Sequence, residues 1–228
     1  MKKSLWLPML LTLIVITGIT TYFIFGAQTK SPPTKDLSVL DVEDRRLTKG
    51  GDEAPVAIVE YADMLCPYCA KVNEEVMPRL QADYIETNKA RYEIRLVAMI
   101  APDSQRAAEG AYCAAEQNKF WDYVDLAYKE TWQNYYSRSK SPQEVPIFKV
   151  GQITQFASRL GLDVSKWQGC LDSERYAEVL EKNLAKMSEM KAYGTPYFLF
   201  NDQSYSGAPP YPFFQKALDA EYNKKVQS

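Results

Sequence analysis

Val56-Ala57-Ile58-Val59-Glu60-Tyr61-Ala62-Asp63-Met64-Leu65-Cys66-Pro67-Tyr68-Cys69 decides how this chain is read. Its first half is an apolar run of strand length, and Pro55–Ala62 reads as a buried strand. After the cysteines, Val72, Val76, Met77 and Leu80 recur at helical spacing, which predicts one helix over Pro67–Asn88. The Cys-x-x-Cys pair therefore falls at a strand-to-helix junction. Pro67 suits the first helical position because it has no N–H to lose and its φ is already helical. That places Cys66 at the helix N-terminus, where unpaired N–H groups and the positive end of the dipole favour a thiolate. Cys69 lies about one turn further in. On this reading Cys66 attacks, and Cys69, expected to be the more buried thiol, resolves.

Other uses of two close cysteines fit less well. A zinc site needs two more ligands, yet the chain has no histidine, and Cys113 and Cys170 do not have knuckle spacing. A purely structural disulfide within one helical turn is uncommon. The redox reading is favoured because Cys-x-x-Cys at a βαβ start is a known signature. Without histidine there is no Ser-His-Asp or Cys-His pair and no His-Glu-x-x-His helix. No phosphate-cradling glycine loop is present. Lys+Arg number 27 against Asp+Glu 29, a net charge of −2 without a basic stripe, which argues against nucleic acid as a partner. No cofactor or metal is expected.

The 228 residues suffice for one domain plus an anchor. After Met1-Lys2-Lys3-Ser4, an uncharged, mostly apolar run extends from Leu5 to Ala27. A signal-peptide core takes ~7–15 residues and a membrane span about 20. Phe25-Gly26-Ala27 is a poor cleavage site, so residues 1–27 are expected to be an uncleaved signal anchor, with a cleaved signal peptide as the alternative. In both cases the domain is exported to a compartment where disulfides persist. Residues 28–48, with Ser31-Pro32-Pro33-Thr34, read as a tether, and 49–228 as the domain.

Further along, Arg91–Ile100 reads as a second strand, parallel to the first across the helix. A long helical stretch follows. Ser104 is the expected cap of a helix carrying Ala107, Ala111, Ala114 and Ala115, and Phe120, Trp121, Val124, Leu126 and Ala127 continue the apolar pattern. Ser141-Pro142-Gln143-Glu144 has capping-box spacing. Ile153, Phe156, Ala157 and Leu160 form a stripe ended by Gly161. Asp163 or Ser165 opens a short helix through Trp167, and Ser173 a longer one with Tyr176, Leu180, Leu184 and Met187. Gly194-Thr195-Pro196 breaks helicity. Tyr197–Phe200 and Gln203–Ser206 form a hairpin across Asn201-Asp202, and Pro210–Tyr222 closes with a helix.

Three stretches in this order resemble the DsbA-like thioredoxin-fold thiol:disulfide oxidoreductases: Glu60–Cys69, Ala111–Tyr123 and Gly194–Asn201. The resemblance spans roughly Pro55 to Tyr222. It implies an α/β thioredoxin fold with a helical insertion, at about 103–190, between its βαβ and ββα halves. It implies that Thr195-Pro196 is a cis bond facing the dithiol, with the Thr195 backbone open to a substrate strand. It implies a buried acid near Glu60 that moves a proton for the resolving thiol; a partly exposed strand carboxylate is the competing reading. In some relatives, cysteines matching Cys113 and Cys170 form a non-catalytic disulfide. Tyr68 departs from the family's usual histidine, and Cys-Pro-Tyr-Cys is also the glutaredoxin pattern; tyrosine adds no positive charge, so a milder oxidant is expected.

The function expected is an exported, membrane-anchored oxidase, acting as a monomer, that introduces disulfides into protein substrates on the periplasmic or outer face. A DsbB- or VKOR-type membrane partner would reoxidise it. A reductase or isomerase on the same fold is the near alternative. A binding or chaperone module merely stapled by its cysteines is the alternative of another class. A fast, low-pKa thiol after mild reduction separates catalysis from stapling.

Overall fold

The computed structural model describes residues 45–227 except 147 and 150. Its centre is β2 (Val56–Ala62), paired on both sides. β3 (Ala90–Leu96) runs parallel to it, from Val56 opposite Ala90 to Ala62 opposite Leu96. β4 (Tyr197–Phe200) runs antiparallel on the other side, and β5 (Gln203–Ser206) returns from it as a hairpin. β1, only Thr48–Lys49, pairs antiparallel with β3, which gives the five-stranded order β1-β3-β2-β4-β5. A strand flanked by strands and covered on both faces is expected to be nearly all apolar, and β2, apolar but for Glu60, is buried except at half-buried Ala57. Its period of two sends Val56, Ile58 and Ala62 into the main core, while Val59 and Tyr61 join Tyr197, Leu199 and Met187 on the opposite face. Glu60, in phase with Ile58 and Ala62, faces the main core.

The expected helix over Pro67–Asn88 is instead three pieces. α1 (Pro67–Glu75) stops at Val76, with φ −110° and ψ −47°; α2 (Met77–Leu80) follows, then a wider helical turn at Gln81–Ile85. Pro78 is the physical reason, since it has no N–H to offer the Glu74 carbonyl and its ring crowds that carbonyl.

The helical insertion lies between β3 and β4, as expected. It comprises α3 (Ser104–Ala115), α4 (Phe120–Asn134), α5 (Ile153–Arg159), α6 (Val164–Asp172) and α7 (Ala177–Glu189). α8 (Tyr211–Val226) ends the chain's described part. The small residues of α3 allow close crossing. A Cβ on Gly110 would lie 2.4 Å from the Tyr123 hydroxyl, and Trp167 Nε1 donates to the Gly110 carbonyl at 2.9 Å. One turn on, Cys113 of α3 is bonded to Cys170 of α6 across a Cα–Cα distance of 5.8 Å.

Several boundaries shift. Ser104 does not cap α3; it is the first helical residue, and its hydroxyl turns to Asp63. Asp163 caps α6 by accepting from the Lys166 N–H at 3.1 Å, but that helix continues to Asp172, beyond Trp167. α7 begins at Ala177, four residues after Ser173. The Ser141–Glu144 capping box closes only a single tight turn, Pro142–Glu144. Gly161 ends α5 at φ +69°, in the left-handed region that glycine favours. Arg45–Leu47, within the expected tether, forms a tight turn leading into β1. The expected anchor, residues 1–27, lies outside the described residues; among those described, no helix is long and apolar enough to cross a membrane.

Candidate active site

β2 delivers the chain to a short loop, Asp63–Cys66, and α1 starts immediately after it. Cys66 is the N-cap residue, extended at φ −76° and ψ 120°, with Pro67 at the first helical position, as the sequence predicts. Asp63, fully buried, holds this loop. Its Oδ1 accepts from the Leu65 N–H and the Ser104 hydroxyl, both at 2.8 Å; its Oδ2 accepts from the N–H groups of Met99 at 2.7 Å and Ile100 at 2.9 Å. Burial raises the Asp63 pKa, and these four donors oppose it. The insertion supports the same loop from outside. Tyr128 of α4 donates to the Asp63 carbonyl at 3.1 Å, and Tyr136, just beyond α4, donates to the Leu65 carbonyl at 2.6 Å.

Both thiols are buried, Cys66 at 2% exposure and Cys69 at 1%, so the expected difference in burial between them is slight. Their surroundings differ more. The Cys66 pKa is lowered to about 7, chiefly because the Cys69 thiol donates to its sulfur; burial opposes this, and the Thr195 side chain and the N–H groups of Cys69 and Tyr68 add to it. Cys69 moves the other way, pushed up by burial and then by the negative charge of Cys66 and Glu60. Thr195-Pro196 is cis, and the Thr195 carbonyl accepts from Cys66 Sγ at 3.2 Å. The Thr195 hydroxyl, buried without an oxygen or nitrogen partner, is free to donate to the Cys66 thiolate.

Glu60 is buried, which removes the exposed-carboxylate reading. Burial raises its pKa to about 8 against the lowering effect of the Tyr92 hydroxyl, which donates to Glu60 Oε2. A carboxyl that titrates near neutrality beside a dithiol can exchange protons with it. Tyr68 is 62% exposed and Tyr193 76%, and with Met99 they present apolar surface on segments that adjoin the dithiol, the cis bond and the Asp63 loop. Cys113 and Cys170 lie apart from this site, in their own bond. No group of potential metal ligands occurs among the described residues.

The sequence reading found Cys66, Pro67, Tyr68, Cys69, Glu60, Thr195 and Pro196, which the fold brings together. It missed Asp63, Tyr92, Ser104, Tyr128 and Tyr136. Asp63 carried a local signal, since an Asp opening a turn accepts from the N–H two residues on. The tyrosines carried none, because their partners are remote in sequence.

The sequence matches the family described as Thioredoxin over residues 43–220. It is 28% identical over 226 residues to the Na(+)/H(+) antiporter NhaA 3 of Salinispora tropica, a match covering 92% of this chain and 31% of that protein. The chain thus spans about a third of the length of the first curated relatives it matches. A putative protein-disulfide oxidoreductase of Rickettsia prowazekii is 27% identical over 202 residues, covering 86% of this chain and 71% of that one. Among solved structures, alpha-DsbA1 of Wolbachia pipientis aligns with a TM-score of 0.66 at 19% identity, over 79% of this chain and 92% of that chain. With the dithiol at the start of α1, the cis bond beside it and five helices set between β3 and β4, the chain belongs to the thioredoxin family and shares the fold of alpha-DsbA1.

Proposed function

We propose that this protein is an exported thiol:disulfide oxidoreductase that exchanges disulfides with protein substrates through Cys66 and Cys69, in the oxidising direction. The observation that carries this reading is the Cys66–Cys69 pair at the start of α1, with Cys66 Sγ 3.2 Å from the Thr195 carbonyl of the cis Thr195-Pro196 bond; these surroundings bring Cys66 down to about 7 and push Cys69 upward. A substrate thiolate attacks Cys66 Sγ; the Cys66–Cys69 bond breaks, and Cys69 leaves and takes a proton. A second substrate thiolate then attacks the substrate sulfur of the mixed disulfide, and Cys66 leaves as the stabilised thiolate. Two electrons pass from substrate to protein, which ends as the dithiol. A stabilised leaving thiolate favours this direction.

Tyr68, Met99 and Tyr193 supply an apolar surface for unfolded substrate, and the Thr195 backbone a place for its strand to pair. The Cys113–Cys170 bond fits an oxidising compartment. Anchoring through residues 1–27 would raise the effective concentration of a DsbB- or VKOR-type membrane partner that restores the disulfide. A second reading has its own support: an attacking thiol works best when its pKa is near ambient pH, and Cys66 at about 7 would also suit a reductase or isomerase.

The test is to mix oxidised protein with equimolar reduced, unfolded dithiol substrate and follow both by alkylation and mass spectrometry. Disulfides appearing in the substrate as Cys66 and Cys69 become alkylatable is the expected result. Transfer only from reduced protein to an oxidised substrate would favour the second reading.

A further inference from the structure

We propose that Tyr92 is a positioning residue for proton exchange at the dithiol: its hydroxyl orients the Glu60 carboxylate and sets the pH at which Glu60 takes the proton of Cys69. This rests on the oxidoreductase reading, in which Cys69 loses a proton whenever it attacks a mixed disulfide on Cys66 and regains one whenever it leaves.

The geometry is particular to this pair. In the parallel register Ile58 lies opposite Tyr92 and Glu60 opposite Ile94, so Tyr92 is the diagonal neighbour of Glu60 on the core face. Its hydroxyl donates to Glu60 Oε2, the one side-chain hydrogen bond of Glu60 among the described residues. Tyr92 is buried, and its ring lies 5.6 Å from that of Trp121, over which Lys49 Nζ sits at 4.5 Å. Lys49 also reaches Asp125 Oδ2 at 3.4 Å.

The titratable groups that act on Glu60 come from three elements: Tyr92 from β3, Cys66 and Cys69 from the start of α1, and Tyr128 from α4. On β4 the residue opposite Glu60 is Phe198, whose ring packs against Phe214 of α8. Of these groups only Tyr92 donates to the carboxylate. A donor to the charged form favours that form, so Tyr92 makes the base available at lower pH than burial alone would allow.

The test is to titrate the Glu60 carboxyl by infrared difference spectroscopy, assigned by its loss in Glu60→Gln. In Tyr92→Phe the titration should move up by about one pH unit, as expected for a lost bond to a charged acceptor. The rate at which Cys69 resolves a Cys66–glutathione mixed disulfide should shift to higher pH with it. Difluorotyrosine at 92 keeps the ring and strengthens the donor, so it should move both curves down even if the phenylalanine variant folds poorly. Curves that coincide with wild type, or shift oppositely, overturn the proposal. The infrared titration needs no exchange activity, so a shift there with no exchange would contradict only the oxidoreductase reading.

Discussion

Cys66 and Cys69 are as buried as Cys113 and Cys170, all four at 1–2% exposure, yet the two pairs sit in opposite kinds of surroundings. The first pair shares one helix start. N–H groups, a threonine and the second thiol lower the pKa of one sulfur, while burial and the charges of Cys66 and Glu60 raise that of the other. The second pair links two helices of the insertion, 57 residues apart in sequence, and apart from a Glu116 contact at 3.5 Å it is packed among apolar side chains. Burial does not distinguish a working thiol from a structural one. Under the proposed function, what sets the exchanging pair apart is the asymmetry in charge and hydrogen bonding between its two sulfurs.

The largest effect that could break this contrast is on exchange itself. Cys66→Ser should abolish thiol exchange, whereas Cys69→Ser should still attack and accumulate mixed disulfides, visible on non-reducing gels. Equal trapping by both would mean that the asymmetry is not the operative one.

Next comes stability. Replacing both Cys113 and Cys170 by Ala should lower unfolding stability by about 4 kcal/mol, the chain-entropy value for a loop of this length, and leave exchange per folded molecule unchanged. Denaturant titration and a turnover assay check the two halves separately. Loss of exchange in a folded variant would make the second pair part of the redox path.

Asp63 sharpens the contrast from the backbone side. Asp63→Ala strands four donors that hold the loop before Cys66, at a cost of about 3 kcal/mol. Thiolate absorbance should also show a broadened Cys66 titration once the loop loses its anchor.

The last effect is a pH dependence. Glu60 titrates near 4.5 when unfolded and at about 8 when folded. Across that interval the native state holds a proton that the unfolded state has released, so stability falls as pH rises through it. Glu60→Gln removes this slope. Its melting temperature should exceed wild type at pH 8 and converge with it near pH 4.5; parallel curves would show that Glu60 is not raised.

Much of this was legible in the chain. The junction at Cys66, the Thr195-Pro196 corner and the placement of the insertion follow from local rules or from the resemblance. Pro78 was legible too, since a proline inside a helical pattern breaks it, and the apolar spacing across it misled. β1 was not, because two residues carry no periodicity. Tyr92, Tyr128 and Tyr136 were not either, because each hydroxyl meets a partner fixed only by strand register or helix docking. The order of the thiols was read from the helix start and from exposure; the two sulfurs prove nearly equally buried, and it is their electrostatic surroundings that differ.

The most direct measurement is the reduction potential of both pairs in one molecule, by equilibration in graded glutathione buffers followed by differential alkylation and mass spectrometry. Cys66–Cys69 should reduce within the glutathione range while Cys113–Cys170 stays oxidised, below about −300 mV as structural disulfides do. Reduction of both at the same potential, or of Cys113–Cys170 first, would contradict the division of the four cysteines into a reactive and a structural pair.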